Sequence, residues 1–204
     1  MYISHQHKLL YMPVPKSGCT TIKKLLWYMD SGFPVKGDIH NAFYTEDFNN
    51  LLQILTDDKV KSYYKFCVVR DPVDRLISAY NHRVLVKGEI RDNEEISITS
   101  DPPFFEFVNN LEKYRSIPVI DHHVSPMCRW LGTDANYYDK IYKLRDINRD
   151  IIPLLESKCG HNLAIDMSVN SSPHVIKRLD ISKDLEDKIK SIYKKDYDVF
   201  GKYM

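Results

Sequence analysis

Two short, almost wholly apolar runs, each followed at once by a polar turn and a helical pattern, set the limits on how this chain can fold. The first run is Lys8–Val14 (K-L-L-Y-M-P-V). Apolar residues at consecutive rather than alternate positions are what a strand shows when both of its faces are covered. Pro15 to Thr20 interrupt the run with turn chemistry, and Ile22, Leu25, Leu26 and Met29 then recur at i, i+3, i+4 and i+7, one face of a helix. The second run is Tyr63–Val69 (Y-Y-K-F-C-V-V). Asp71 and Pro72 follow it as an N-cap and a first-turn proline, and Leu76, Ile77, Ala79 and Tyr80 lie on the helix they start. Repeated strand–turn–helix units call for parallel strands with their crossover helices on both faces. The expectation is an α/β chain of three layers, a central parallel sheet with helices on both faces. Ligands of such sheets bind beyond the carboxyl ends of the strands, where both polar turns lie.

The rest of the chain adds elements around these units. Thr45–Leu55 reads as a helix with Phe48, Leu51, Leu52 and Leu55 on one face, and Phe104–Tyr114 as another. Gly88–Pro103 is polar, acidic and punctuated, so it reads as a mobile loop. Tyr137–Leu144 reads as a strand, Ile147–Lys158 as a helix ending at Gly160, and about Lys183 to Lys195 as an amphipathic helix carrying Leu185, Ile189, Ile192 and Tyr193. A length of 204 residues fits one domain, 1–204. Lys and Arg total 29 against 28 Asp and Glu, so no broad positive field favours nucleic acid or membranes, and an anion site has to come from a local cluster. The first residues lack the apolar core of a signal peptide, and no apolar run approaches the roughly 18 residues of a membrane span. A cytoplasmic protein is the expectation. Cys19, Cys67, Cys128 and Cys159 are far apart without a C-x-x-C pair, which speaks for reduced thiols and against a zinc site, with one Cys128–Cys159 bridge as the alternative.

The first turn, Pro15-Lys16-Ser17-Gly18-Cys19-Thr20-Thr21, has the parts of an anion cradle. Gly18 lets the backbone come close to a ligand, and the helix start behind it offers unpaired N–H groups and a positive dipole end. Lys16 adds a charge, and Ser17, Thr20 and Thr21 add hydroxyl donors. The order differs from the phosphate loop G-x-x-x-x-G-K-[ST]: Lys16 precedes the only glycine, and no aspartate is well placed at a strand end to hold magnesium. In the second turn Arg70 stands at the end of a buried strand, where a charge needs an anionic partner. Arg75, Ser78 and His82 follow at i, i+3 and i+7, on one helix face near its start, where a guanidinium and a hydroxyl can grip a phosphate.

P-K-S-G-C-T-T-I-K resembles the 5′-phosphosulfate loop of the carbohydrate sulfotransferases, and R-D-P-V-D-R-L-I-S-A-Y resembles their 3′-phosphate motif. The pair, in this order, is similar to the group containing the HNK-1, chondroitin and dermatan sulfotransferases, with heparan 2-O-sulfotransferases as more distant relatives. Asp121-His-His-Val-Ser-Pro126 resembles that group's D-x-H-[WF]-x-P-Q segment, and Tyr193–Gly201 its C-terminal ending. The resemblance implies a P-loop NTPase-like fold and the donor 3′-phosphoadenosine 5′-phosphosulfate, spent as adenosine 3′,5′-bisphosphate, with no metal. It implies that Lys16 contacts the 5′-phosphosulfate, that Ser17, Gly18, Cys19, Thr20 and Thr21 wrap it, and that Arg70 and Ser78 bind the 3′-phosphate. The implied partner is a glycan or another hydroxyl-bearing acceptor. Asn170-Ser-Ser172 resembles a late loop near the nucleotide, with Lys177 and Arg178 following. Three departures bear on the acceptor: Met127 replaces a glutamine, His122 stands beside His123, and Val124 replaces an aromatic residue.

Transfer of a sulfuryl group in line needs a base for the acceptor hydroxyl. His40, in Asp38-Ile-His-Asn41, lies between the two motifs where the heparan-type relatives carry their catalytic histidine and is the first candidate. His123, which Asp121 could orient, is the second; His5, His7, His161 and His174 read as structural. Two other readings stand beside this one: a P-loop kinase of small molecules, and a nucleotide-binding interaction module without catalysis.

Overall fold

The computed structural model describes residues 1–39, 54–163 and 175–204, so the helix expected over Thr45–Leu55 lies largely outside the described residues. Among the described residues four strands form one sheet in the order β1-β2-β3-β4: β1 Tyr2–Ser4, β2 Leu9–Met12, β3 Tyr64–Val69 and β4 Lys140–Lys143. β2, β3 and β4 are parallel, with Met12 beside Cys67 and Cys67 beside Ile141. This is the expected parallel sheet, and β2 and β3 end at the same sheet edge. β1, too short to show a pattern in the sequence, adds an antiparallel edge through a turn with Lys8 at φ 51. The Tyr2 hydroxyl pins that edge by donating to the Leu26 carbonyl at 2.8 Å and to the Asp30 carboxylate.

The longer helices among the described residues are α1 Cys19–Ser31, α2 Pro72–Tyr80, α3 Pro118–Val124, α4 Ile152–Cys159, α5 Lys183–Ile192 and α6 Lys194–Phe200. Contacts divide the chain into two compact units, one of Met1–Val69, Met127–Asn170 and Val199–Met204, the other of Arg70–Pro126 and Ser171–Asp198.

The first unit holds the sheet and covers both of its faces. Strand side chains alternate between faces. Leu9, Tyr11, Phe66, Val68 and Tyr142 meet Ile22, Leu25, Leu26 and Met29 of α1 and Leu155 of α4. Leu10, Met12, Cys67, Val69 and Ile141 point the other way, onto Met127, Trp130, Leu131 and Phe200. Every residue of β2 is buried, which is why its run shows no polar alternation. The four cysteines are free thiols.

The second unit has its own core, in which Val73, Leu76, Ile77 and Tyr80 of α2 pack with Phe107, Tyr114, Ile120, Val124, Ile189 and Tyr193. Asp71 caps α2 by accepting from the Val73 N–H at 2.9 Å, with Pro72 in the first turn, as its sequence anticipates. Gly88–Pro103 is less open than its composition suggests: Asn93 and Ile98 bridge their backbones, and Ile90 and Ile98 are buried. The expected helix 104–114 breaks in two at Asn110, whose side-chain amide turns back to the Glu106 carbonyl at 3.1 Å while its backbone leaves the helical region. The helix over about 183–195 likewise ends at Ile192 and restarts at Lys194. α3 and the short helix Met127–Leu131 were not read from sequence.

Phe66 is wholly buried, stacked on Tyr11 at 5.0 Å and edge-on to Tyr142 at 5.9 Å. Phe66→Ala is expected to cost about 3–5 kcal/mol of stability, measured by urea unfolding.

Candidate active site

The loop between β2 and α1 is held in a conformation few side chains adopt. Lys16 has φ 66, a left-handed backbone in a residue with a Cβ, and Gly18 has φ 75. Such strain persists where the surroundings over-determine the backbone. Here the Ser17 N–H donates to the Val14 carbonyl at 3.2 Å, and the Ile22 N–H closes the first turn of α1 on the Gly18 carbonyl at 3.1 Å. A Cβ on Gly18 would lie 2.7 Å from Leu144 Cδ1 and 2.8 Å from Ile147 Cδ1, so those two side-chain ends would have to shift, and the positive φ disfavours a side chain whatever the space.

The helix start this creates is suited to an anion. Gly18 contributes no capping side chain, and the first turn of α1 carries no acidic residue. The positive end of the helix dipole is therefore not offset by an acidic side chain in that turn. Ser17 is wholly buried, and its hydroxyl has no hydrogen-bond partner among the described residues, a polar atom that a ligand oxygen would satisfy. Lys16, Gly18, Cys19 and Thr20 are partly exposed, and Thr21 is buried. Lys23, one turn further on, is a cation that its sequence did not mark as buried. It is fully buried, and its ammonium pKa is lowered by that burial, against the pull of Cys19 and Asp38. A lysine flanking the apolar stripe of α1 was the only signal of it in the sequence.

In the second unit, Arg70 is the residue directly after β3 and is partly buried. Its pKa is lowered by desolvation and by Arg75, while the Asp74 and Asp71 carboxylates hold its charge. Asp74 and Ser78 are the partly exposed positions of an otherwise buried α2, and with Asp71 they form one polar stripe at i, i+3 and i+7. Arg75 does not belong to it. The expectation that Arg75 joins Ser78 in gripping a phosphate is overturned, because its guanidinium is buried against the end of α3. It donates to the carbonyls of His123 at 3.1 Å, Val124 at 3.3 Å and Ser125 at 2.6 Å, and lies 5.4 Å from the centre of the Tyr193 ring. Those carbonyls lie at the end of α3, where a buried cation is well placed against the negative end of the helix dipole.

His123 sits on α3 with both ring nitrogens engaged. Nδ1 is 2.7 Å from the Val119 carbonyl, which can only accept, so Nδ1 carries a proton. Nε2 is 2.7 Å from Arg83 Nη2, which can only donate, so Nε2 offers its lone pair to Arg83. Arg83 is itself paired with Glu89 at 2.8 Å. Asp121 turns to Arg115 at 2.8 Å and to the Ser125 hydroxyl at 3.0 Å. His40, Asn170–Ser172 and His174 lie outside the described residues. Of the remaining histidines, His5 meets the Tyr63 hydroxyl at 2.9 Å and His7 the Lys158 carbonyl at 3.1 Å, contacts that fit structural roles. Among the described residues no group of three or more His, Cys, Asp or Glu side chains is placed to hold a metal, and no helix is long and apolar enough to cross a membrane.

Gly18→Ala is expected to cost at least about 1–2 kcal/mol from the left-handed backbone alone, lowering the melting temperature in calorimetry, with the clash at Leu144 and Ile147 adding to it.

The model of the family described as "Sulfotransferase family" matches residues 1–203. Carbohydrate sulfotransferase 9 of Homo sapiens is 29% identical over 177 residues, 68% of this chain and 40% of that protein. Carbohydrate sulfotransferase 10 of Pongo abelii is 32% identical over 90 residues, 41% of this chain and 25% of that protein. Carbohydrate sulfotransferase 11 of Rattus norvegicus is 30% identical over 94 residues, 43% of this chain and 27% of that protein. The chain thus spans between a quarter and two fifths of the length of these curated relatives. No solved structure gives a significant match. With the match running over all but the last residue, the chain belongs to the sulfotransferase family.

Proposed function

We propose that the chain transfers a sulfuryl group from 3′-phosphoadenosine 5′-phosphosulfate to a hydroxyl of a carbohydrate. The observation that carries this reading is the start of α1: an acid-free helix end behind left-handed Lys16 and Gly18, with the buried Ser17 hydroxyl among its donors. That arrangement fits a tetrahedral anion at the 5′ end of the donor. The acceptor class rests on the relatives, which are named carbohydrate sulfotransferases.

The donor, when bound, supplies an activated sulfuryl group on a phosphate that can leave. The first-turn N–H groups of α1, with Ser17, Thr20 and Thr21, orient the 5′ end, and Arg70 and Ser78 hold the 3′-phosphate that separates this donor from ATP. Lys16 stabilises the negative charge that gathers on the phosphate oxygen as its bond to sulfur breaks. The acceptor oxygen forms the new bond to sulfur, and its proton passes to a histidine. His40 is the proposed base. His123 comes second, because its one free lone pair already accepts from Arg83 and would have to be released first.

Lys16→Ala is expected to lower kcat by about 100-fold or more while the protein stays folded, read with a carbohydrate acceptor and labelled donor. The kinase reading is separated by calorimetry. Adenosine 3′,5′-bisphosphate is expected to bind in preference to ADP with magnesium, and the reverse preference would reject the proposed donor. If wild type and Lys16→Ala alike consume no donor across a broad glycan panel, the non-catalytic binding module is the better reading.

A further inference from the structure

The polar stripe of α2 carries an excess of negative charge for a helix proposed to receive a phosphate. Asp71 and Asp74 lie on the same face as Ser78, one or two turns away, and Asp74 is itself affected by the like charge of Asp71. Two carboxylates so close to a phosphate dianion would oppose its binding. The chain that returns to α2 after residue 174 answers them. Arg178 Nη1 lies 3.2 Å from Asp71 Oδ1 and 3.7 Å from Asp74 Oδ1, and its Nη2 lies 2.7 Å from Glu186 Oε1 on α5. Glu186 is also paired with Lys190 at 2.5 Å. The Tyr197 hydroxyl reaches both Asp71 oxygens at 3.2 Å.

Arg178 is delivered to this place by a second anchor at the other end of the stripe. Asn81, 2% exposed, follows Ser78 by one turn. Its side-chain amide donates to the Ile176 carbonyl at 2.8 Å and its carbonyl accepts from the Ile176 N–H at 3.1 Å. Ile176 is thereby fixed at one end of the face and Arg178 at the other. Asp71, Asp74, Ser78 and Asn81 recur at i, i+3, i+7 and i+10 along that face. Among the described residues, the returning chain takes up Asp71, Asp74 and Asn81 and leaves Ser78 aside. Arg178, which follows the late loop in sequence, is thus held by carboxylates.

We infer that Arg178 is a positioning residue for the 3′-phosphate: by pairing with Asp71 and Asp74 it removes their repulsion from the phosphate that Arg70 and Ser78 receive. The inference rests on the proposed role of Arg70 and Ser78. Without Arg178 the fold of α2 keeps its cap and its apolar contacts, but Asp71 and Asp74 lose the guanidinium paired with them and keep only Arg70 nearby as the dianion arrives. Removing the charge of Asp74 should then undo the defect, an outcome that a purely structural Arg178 would not produce.

The test is calorimetric titration of the full chain with adenosine 3′,5′-bisphosphate and with adenosine 5′-phosphate, which lacks the 3′-phosphate. Arg178→Met is expected to weaken the bisphosphate about tenfold and the monophosphate little. Arg178→Lys should keep most of the affinity, and Asp74→Asn in the Arg178→Met background should restore most of what was lost. The inference is overturned if Arg178→Met weakens both nucleotides alike, if it weakens neither, or if Asp74→Asn restores nothing. If wild type itself fails to prefer the bisphosphate, the proposed 3′-phosphate site falls, and this inference with it.

Discussion

The left-handed backbone at Gly18 is the constraint on which the loop depends, with Leu144 and Ile147 packed close on it. Without a side chain at that position, the backbone turns between a buried strand and a buried helix and keeps the packing on both sides. The turn decides where α1 begins, and with it where the positive end of its dipole lies. Lys16 shares the strained backbone although it has a side chain, an arrangement that ordinary strand–helix connections avoid. The loop, the helix start and the lack of acids in the first turn form one device. Substituting Gly18 would disturb all three together.

The second unit divides its positive charges between structure and ligand. Arg75 is spent inside, on the last carbonyls of α3 and against Tyr193, whose phenol is pushed up to about 12 by burial. Arg178 is spent on carboxylates. Arg70, at the end of β3 with a partly buried guanidinium, lies near the Asp74 and Asp71 carboxylates, and its role toward the donor is the one proposed above. A sequence motif rich in arginine does not say which arginine meets the ligand; burial and partners do.

Much of this was legible beforehand, for identifiable reasons. β2 and β3 show as consecutive apolar residues because both of their faces are covered, and Asp71-Pro72 marks the start of α2 because capping and the proline ring have local geometry. β1 was not legible, since three residues at an edge carry no pattern. The break at Asn110 depends on a side chain turning back on its own helix. Arg75 was misread because i, i+3 spacing places a residue on a face without saying what covers that face, and α3 is distant in sequence. The Asn81–Ile176 pairing joins residues 95 apart and leaves no local trace.

The most direct measurement of the central claim is amide hydrogen exchange of the full chain with and without saturating adenosine 3′,5′-bisphosphate. If the start of α1 and the polar stripe of α2 hold the two ends of the donor, exchange slows in residues 15–22 and in residues 70–79 at the same ligand concentration. Unchanged exchange over residues 15–22 in a chain saturated with the nucleotide would contradict the account.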